Sequence, residues 1–211
     1  MIRATFRVSE VESFRQWRDD PDADLDVLLD RLRGQTEPSE VMLAGTAFHQ
    51  ALEDAPTGLT ATSLGANGYT FNMEGDFTIG LCGIREVRAG KTYRGEGYEI
   101  TVSGQLDAIH GKRVEDHKTT SRFDPERYLA GYQWRLYLDI FGADHFRWNV
   151  FEIACNDDAL PAGMVWDVHA QHTLEQFRYP GMEADCARLV RDLADFTRAQ
   201  LPERIRALEP A

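Results

Sequence analysis

The stretch from Ile100 to Tyr137 constrains the fold most, because it alternates apolar and polar residues on both sides of a Gly-Lys pair. This alternation is typical of two half-buried strands joined by a tight turn, and we therefore predict a β-hairpin. Gly111 and Lys112 are then the central turn residues, with glycine first, as a type II′ turn prefers. The resulting register places Asp107 opposite Asp116. Two carboxylates so placed repel each other, so the pair predicts a cation between them, most simply a hard divalent metal.

The second strand of the hairpin adds a lysine to this pair. Residues two apart in a strand share a face, so Asp116 and Lys118 lie on one side. Val114 belongs to the same face, whereas Glu115, His117 and Thr119 belong to the other. Two carboxylates that hold Mg²⁺ beside a lysine form a minimal site for phosphodiester hydrolysis.

A helix is predicted after the hairpin. Asp124 is a suitable N-cap, Pro125 suits the first helical position, and Gly142 is a typical stop, so one helix is expected between them. Gln133 and Tyr137 lie four residues apart at the edge of its apolar stripe. We expect both side chains to point toward the hairpin.

Four short motifs in this region resemble the nuclease domain of the RecB-like branch of the PD-(D/E)xK superfamily. The residues Gly104 to Asp107 match G-x-x-D, Asp116 to Lys118 match D-x-K, Gln133 to Tyr137 match Q-x-x-x-Y, and Gly45 to His49 match G-x-x-x-H. Together they span roughly residues 40–155. Stand-alone nucleases of phages and mobile elements are the members that a chain of this size resembles.

The resemblance implies a fold and a set of roles. It implies an α/β (α+β) protein with a restriction-endonuclease-like core, in which helices flank a central mixed β-sheet. The implied catalytic residues are Asp107, Asp116, Lys118, Gln133 and Tyr137. The implied ligands of Mg²⁺ or Mn²⁺ are His49, Asp107, Asp116 and the backbone carbonyl of His117, with Glu86 as a further ligand. Lys118 would orient or activate water.

Two of these ligands have a structural alternative. A lone histidine on an apolar helix is more often a packed core residue, but Gly45 four residues earlier favours a ligand role for His49. Glu86 is the only acid within the strand predicted at 77–88, and a surface charge explains it as well as a metal ligand does.

Composition limits the other possibilities. The three cysteines, Cys82, Cys155 and Cys186, are scattered, so neither a disulfide framework nor the four-cysteine iron–sulfur cluster of some RecB-like nucleases is expected. The net charge of −12 disfavours a nucleic-acid surface over the whole molecule. Basic residues crowd the central third, however, which predicts a basic groove on an acidic body.

The remaining pattern predicts one domain over residues 1–211. Helices are expected at 8–33, with Ser9 as N-cap and Glu12 completing a capping box, at 39–53 and at 181–208. Strands are expected at 69–72, 77–88, 97–109, 145–154 and 164–172, and a loop at 56–67. No segment has the length and hydrophobicity of a membrane span or signal peptide, so a cytoplasmic protein is expected.

The function that follows is a metal-dependent deoxyribonuclease, expected to be an exonuclease that processes DNA ends for recombination or repair. The alternative is a catalytically silent nucleic-acid-binding or assembly module of the same fold. An unrelated hydrolase is disfavoured, since G-x-S-x-G, Walker and H-E-x-x-H motifs are absent from the sequence. DNA is the expected partner. A homo-oligomer, a recombination partner protein, the polarity and the strand preference are left open.

Overall fold

The computed structural model describes residues 1–56, 62–73 and 84–205. These residues form an α+β protein in which helices flank a mixed β-sheet. The strands are β1 (Ile2–Arg7), β2 (Ser63–Ala66), β3 (Tyr69–Met73), β4 (Ile84–Gly95), β5 (Tyr98–His110), β6 (Arg113–Thr120), β7 (His145–Cys155) and β8 (Val165–Phe177). The helices are α1 (Val8–Asp19), α2 (Leu25–Arg33), α3 (Glu40–Asp54), α4 (Pro125–Leu129), α5 (Gln133–Phe141) and α6 (Met182–Gln200), followed by a 3₁₀ turn at Pro202–Arg204. In the described ranges, the helices lack the combination of length and hydrophobicity that a membrane span requires.

Strand β5 organises the sheet because it has three neighbours. The order is β1-β5-β6-β7-β8-β3-β2, and β4 also pairs with β5. Antiparallel β4 runs along β5 from Tyr98 to Ile109. Parallel β1 and antiparallel β6 therefore share the opposite edge, where β1 pairs with 98–103 and β6 with 108–110. The β5 segment 104–107 lies between these two partners and pairs with neither.

Two apolar clusters cover opposite faces of the sheet. The larger one packs α1, α2, α5 and α6 against β1, β4 and β5, and it includes Trp148 and Val150 of β7. The smaller one packs α3 against β3, β7 and β8, and it includes Phe151 and Ile153. Strand β7 is thus apolar on both faces, as the sequence predicts for a strand covered on both sides.

The prediction of one helix after the hairpin is wrong in one respect, because the structure has two helices there. Asp124 caps α4 by accepting from the Glu126 N–H at 3.1 Å, and Gly142 ends α5 with a φ of 59°, both as expected. Residues 130–132 are not helical and separate α4 from α5. The carboxylate of Glu12 on α1 accepts from the backbone N–H groups of Tyr132 (2.6 Å) and Gln133 (3.1 Å) and so caps a new helix there.

Other expectations need smaller corrections. Glu12 is therefore not part of a capping box with Ser9. The N-cap of α1 is Arg7, two residues before Ser9, and the carboxylate of Glu10 accepts from the Arg7 N–H at 2.6 Å. Strand β1 precedes it and was not predicted. Residues 63–66 form β2 instead of a loop, because β3 supplies an antiparallel partner. The predicted loop at 57–61, the start of the predicted strand at 77–83 and the end of the last helix at 206–208 lie outside the described residues.

Candidate functional site: a carboxylate cleft at the β5–β6 hairpin

The hairpin has the predicted register. His110 pairs with Arg113 and Ala108 with Glu115, and Gly111 has a φ of 59° at the turn. The next pair in this register would be Asp107 with Asp116, but the two strands diverge there and these residues do not form a ladder pair. The Asp107 carboxylate bridges the gap by accepting a hydrogen bond from the His117 backbone N–H. A side chain thus replaces the ladder hydrogen bond at the point where the strands separate.

Tyr137 occupies the unpaired segment of β5. Its hydroxyl donates to the Gln105 carbonyl at 3.0 Å, which satisfies an acceptor that has no strand partner on this edge. Gly104 makes this contact possible, since a Cβ there would lie 2.5 Å from the Tyr137 ring. Packing against the Tyr137 ring therefore explains why the first residue of the G-x-x-D motif is glycine.

Helix α3 brings His49 next to the carboxylate of Asp107. A Cβ on Gly45 would lie 2.7 Å from the Thr119 hydroxyl oxygen, so glycine lets the helix approach β6 closely. One helical turn later, His49 Nδ1 lies 3.5 Å from Asp107 Oδ1. Arg85 of β4 fixes the end of this helix by donating to the carbonyls of Leu52, Glu53 and Ala55 at 2.6–3.0 Å.

Asp116 is the most buried acid of the site. Its side chain is 4% exposed, and its Oδ2 lies 2.7 Å from Lys118 Nζ without hydrogen-bond geometry. The other oxygen accepts from Gln133 Nε2 at 3.4 Å. Gln133 and Tyr137 thus both reach the hairpin from α5, as their spacing predicts. Asp116 Oδ2 thus has the Lys118 ammonium group as its neighbour, and burying such an ion pair carries a desolvation cost.

The two carboxylates differ in their affinity for protons. Burial, reinforced by the charge of Asp107, raises the pKa of Asp116 to about 6. Burial acts in the same sense on Asp107, but the His49 contact and the charge of Lys118 outweigh it and lower the pKa of Asp107 to about 2. Burial alone would lower the pKa of Lys118, yet Asp116 and Asp107 raise it. Lys118 is therefore held as an ammonium group.

Glu86 lies beside this pair. The β4–β5 register continues through residues 85 and 87, which places Glu86 opposite Asp107. Its φ of 54° is unusual for a residue other than glycine and marks local backbone strain. The carboxylate accepts from the Gln105 side-chain amide, and burial together with the Asp107 charge raises its pKa. The strained backbone holds a third acid at the site.

The side chain of His117 lies behind the carboxylates rather than in solvent. Asn149 Nδ2 lies 3.3 Å from His117 Nδ1 and donates to Glu115 at 3.1 Å. Burial lowers the pKa of His117 to about 4, so the ring is neutral. Together with His49, Glu86 and Asp107, it lines a recess of about 10 Å³, room for one water molecule.

Most of the predicted residues meet in one cleft of about 720 Å³. The cleft is lined by His49, Glu86, Asp107, Asp116, Lys118 and Tyr137. Gln133 lines an adjoining cavity instead. Val41 and Met42 lie at the mouth of the cleft and are half exposed.

The cleft brings together the carboxylate oxygens of Asp107 and Asp116, and oxygen is the ligand atom that hard divalent cations prefer. As the side chains stand, no three or more His, Cys, Asp or Glu residues in the described ranges are arranged to hold a metal ion. Asp107 and Asp116, with His49 and Glu86 nearby, are the residues that would hold one. Of the cysteines, Cys155 and Cys186 are free thiols, and Cys82 lies outside the described residues.

Comparison with known proteins adds little to this geometry. No protein-family model matches the chain, and no curated protein matches it. The crystal structure of SSO0001 matches 92% of this chain and 76% of its own length, with 16% identity and a TM-score of 0.48. At this identity and TM-score, the likeness bears on neither family nor activity.

Proposed function

We propose that this chain is a divalent-metal-dependent deoxyribonuclease with a restriction-endonuclease-like core. The observation that carries the proposal is the pair of neighbouring carboxylates, the partly buried Asp107 and the buried Asp116, at the point where β5 and β6 separate, with the ammonium of Lys118 beside them. Two acids held side by side, one of them almost wholly buried, destabilise the metal-free fold, and a bound cation would offset that cost. A cleft of about 720 Å³ gives a substrate access to them.

The chain's own residues divide the work of hydrolysis. Asp107 is held in place by the His117 N–H, and Asp116 by Gln133, so both carboxylates are positioned before a ligand arrives. Mg²⁺ or Mn²⁺, when bound, lowers the pKa of water and neutralises charge on the scissile phosphate. Lys118 stays protonated, so it donates a hydrogen bond to the water or a phosphate oxygen instead of acting as the base. Water oxygen attacks phosphorus as the P–O bond to the leaving oxygen breaks, and the proton that the water loses to solvent is balanced by the proton that the leaving oxygen takes up.

Supporting residues complete the site. Tyr137 and Gln133 rise from α5 and hold the two strands of the hairpin in place through Gln105 and Asp116. We propose that His49 and Glu86 extend the ligand set and that the activity serves the processing of DNA ends in recombination or repair.

The decisive experiment compares linear and covalently closed DNA, labelled at the 5′ or 3′ end, with Mg²⁺ or Mn²⁺. Wild type should cleave, and Asp116→Asn should not, because the variant loses a ligand charge. Asp144→Asn is the control, since Asp144 is 63% exposed and lies outside the cleft. A fully active Asp116→Asn protein contradicts the proposal. Wild type that binds DNA without cutting it indicates the silent binding module.

A further inference from the structure

Two arginines beside the cleft, Arg31 and Arg127, lack a carboxylate partner among the residues that the structure describes. Both are exposed. Most other arginines are paired, as Arg18 is with Asp192 (2.9 Å) and Arg147 with Glu175 (2.6 Å). Acids outnumber bases 35 to 23 in this chain, so carboxylates are plentiful. Two guanidinium groups without one are therefore available for an anionic ligand.

Both arginines line one cavity of about 250 Å³ between α1, α2, α4 and β6. Lys118, Tyr128 and Gln133 line it as well. Lys118 and Arg31 also line the carboxylate cleft, so the cavity and the cleft adjoin. A polymer bound at Asp116 would continue directly into this cavity.

The acid in this cavity is already neutralised. Glu12 accepts from Arg15 at 2.6 Å through one oxygen and from the Tyr132 and Gln133 N–H groups through the other. Its charge is therefore compensated, as that of Lys118 is by Asp116, so Arg31 and Arg127 set the sign of the local potential. The cavity favours an anion.

We infer that Arg31 and Arg127 form a subsite for the backbone phosphate of a single nucleic-acid strand, adjacent to the phosphate addressed by Lys118. The inference rests on the proposed function, because the strand bound here is the one that would be cut. Guanidinium groups bind phosphate through paired hydrogen bonds. A volume of about 250 Å³ is below that of pockets for drug-sized ligands and suits one nucleotide, not a duplex. The half-buried ring of Tyr128 also lines the cavity; it packs against Phe123 and Trp148, with ring centroids 6.1 Å away in both cases, so only its exposed part is available to an unpaired base.

The test measures binding without metal, so that cleavage plays no part. Fluorescence anisotropy of a labelled oligothymidylate is followed in EDTA for wild type, Arg31→Ala, Arg127→Ala and the double variant. Each single change should weaken binding on the order of tenfold. It should also reduce the slope of log K against log salt by about 0.7, the value for one phosphate contact on a single strand.

Arg191→Ala is the matched control, because Arg191 is exposed on α6 and lies 3.6 Å from Asp192. Its affinity and salt slope should equal those of wild type. A double variant that matches this control overturns the subsite, as does wild type that fails to bind the oligonucleotide. Unchanged unfolding temperatures show that the variants are folded.

The two proposals can fail separately in these assays. Protein that binds through Arg31 and Arg127 but cuts no DNA rejects the nuclease and keeps the subsite. Protein that cuts DNA, with binding indifferent to both arginines, rejects the subsite and keeps the nuclease.

Discussion

Lys118 Nζ lies 2.7 Å from Asp116 Oδ2, although the side chain of Asp116 is almost wholly buried and that of Lys118 is 32% exposed. The contact explains how a second carboxylate, Asp107, can occupy the same hairpin. One ammonium group offsets part of the repulsion, and the remaining repulsion and burial raise the pKa of Asp116 to about 6. Asp116 therefore binds a proton more readily than an ordinary aspartate, and a cation that binds at the site must displace that proton.

This raised pKa makes Asp116 a source of instability at neutral pH. Its folded-state pKa of about 6 exceeds the ordinary aspartate pKa of 3.8, so the folded protein loses stability as pH rises from about 3.8 through 6. Asp116→Asn should therefore be more stable than wild type above pH 6 by on the order of 1–3 kcal/mol, and about equally stable below pH 3.8. Urea unfolding in EDTA from pH 3 to 8 measures the difference. A variant less stable than wild type at pH 8 contradicts this explanation.

Asp107 should show the opposite dependence. Its pKa is lowered to about 2, so it contributes stability above pH 3.8 that disappears as pH falls through 2. Asp107→Asn also weakens the acceptor for the His117 N–H. It should therefore destabilise the metal-free protein at pH 7, in contrast to Asp116→Asn. If both variants changed the free energy of unfolding at pH 7 in the same direction, the assignment of a raised pKa to Asp116 and a lowered pKa to Asp107 would be wrong.

Lys118→Met keeps the length of the side chain and removes its charge. Because the ammonium is proposed to contact water or phosphate, the cleavage rate should fall by on the order of 10² or more. Calorimetric Mn²⁺ affinity should be retained or increased, since a positive charge leaves the carboxylates. Loss of Mn²⁺ binding in this variant would make the role of Lys118 structural.

His49→Ala separates a ligand from a packing residue. If the imidazole joins the carboxylates, the nitrogen donor favours Mn²⁺ over Mg²⁺, and its loss should lower the ratio of Mn²⁺ to Mg²⁺ activity. His110→Ala is the control, because His110 is exposed at the end of β5. An unchanged ratio with a lower unfolding temperature would assign His49 to packing alone.

Glu12→Ala tests the link between α1 and the site. The variant leaves the N–H groups of Tyr132 and Gln133 without their acceptor, which should cost about 1–3 kcal/mol. The unfolding temperature should fall by about 2–4 °C for each kcal/mol. Activity should fall as well, since Gln133 begins α5. Glu126→Ala, an exposed acid in the first turn of α4, should change neither.

The sequence predicted the local features because neighbouring residues decide them. The alternation around Gly111 determined the turn and the register, and the register set Asp107 against Asp116. The period of α5 placed Gln133 and Tyr137 on one face toward the hairpin. Helix α2 (Leu25–Arg33) lies within the helical region predicted at 8–33, because its amphipathic pattern is local.

Tertiary structure decided the features that depend on residues far apart in the chain. Glu12 caps α5 across a separation of 120 residues, so the local pattern predicted one continuous helix where there are two. Strand β1 is a strand because β5 offers a free edge, and that edge ends where β5 and β6 diverge around Asp107. The grouping of Arg31 with Arg127 likewise requires the fold to place α2 and α4 around one cavity. The sequence determines helix and strand propensity and the spacing of side chains. The packing of distant elements determines how far each carboxylate is buried and which groups donate hydrogen bonds to it, and these set its charge.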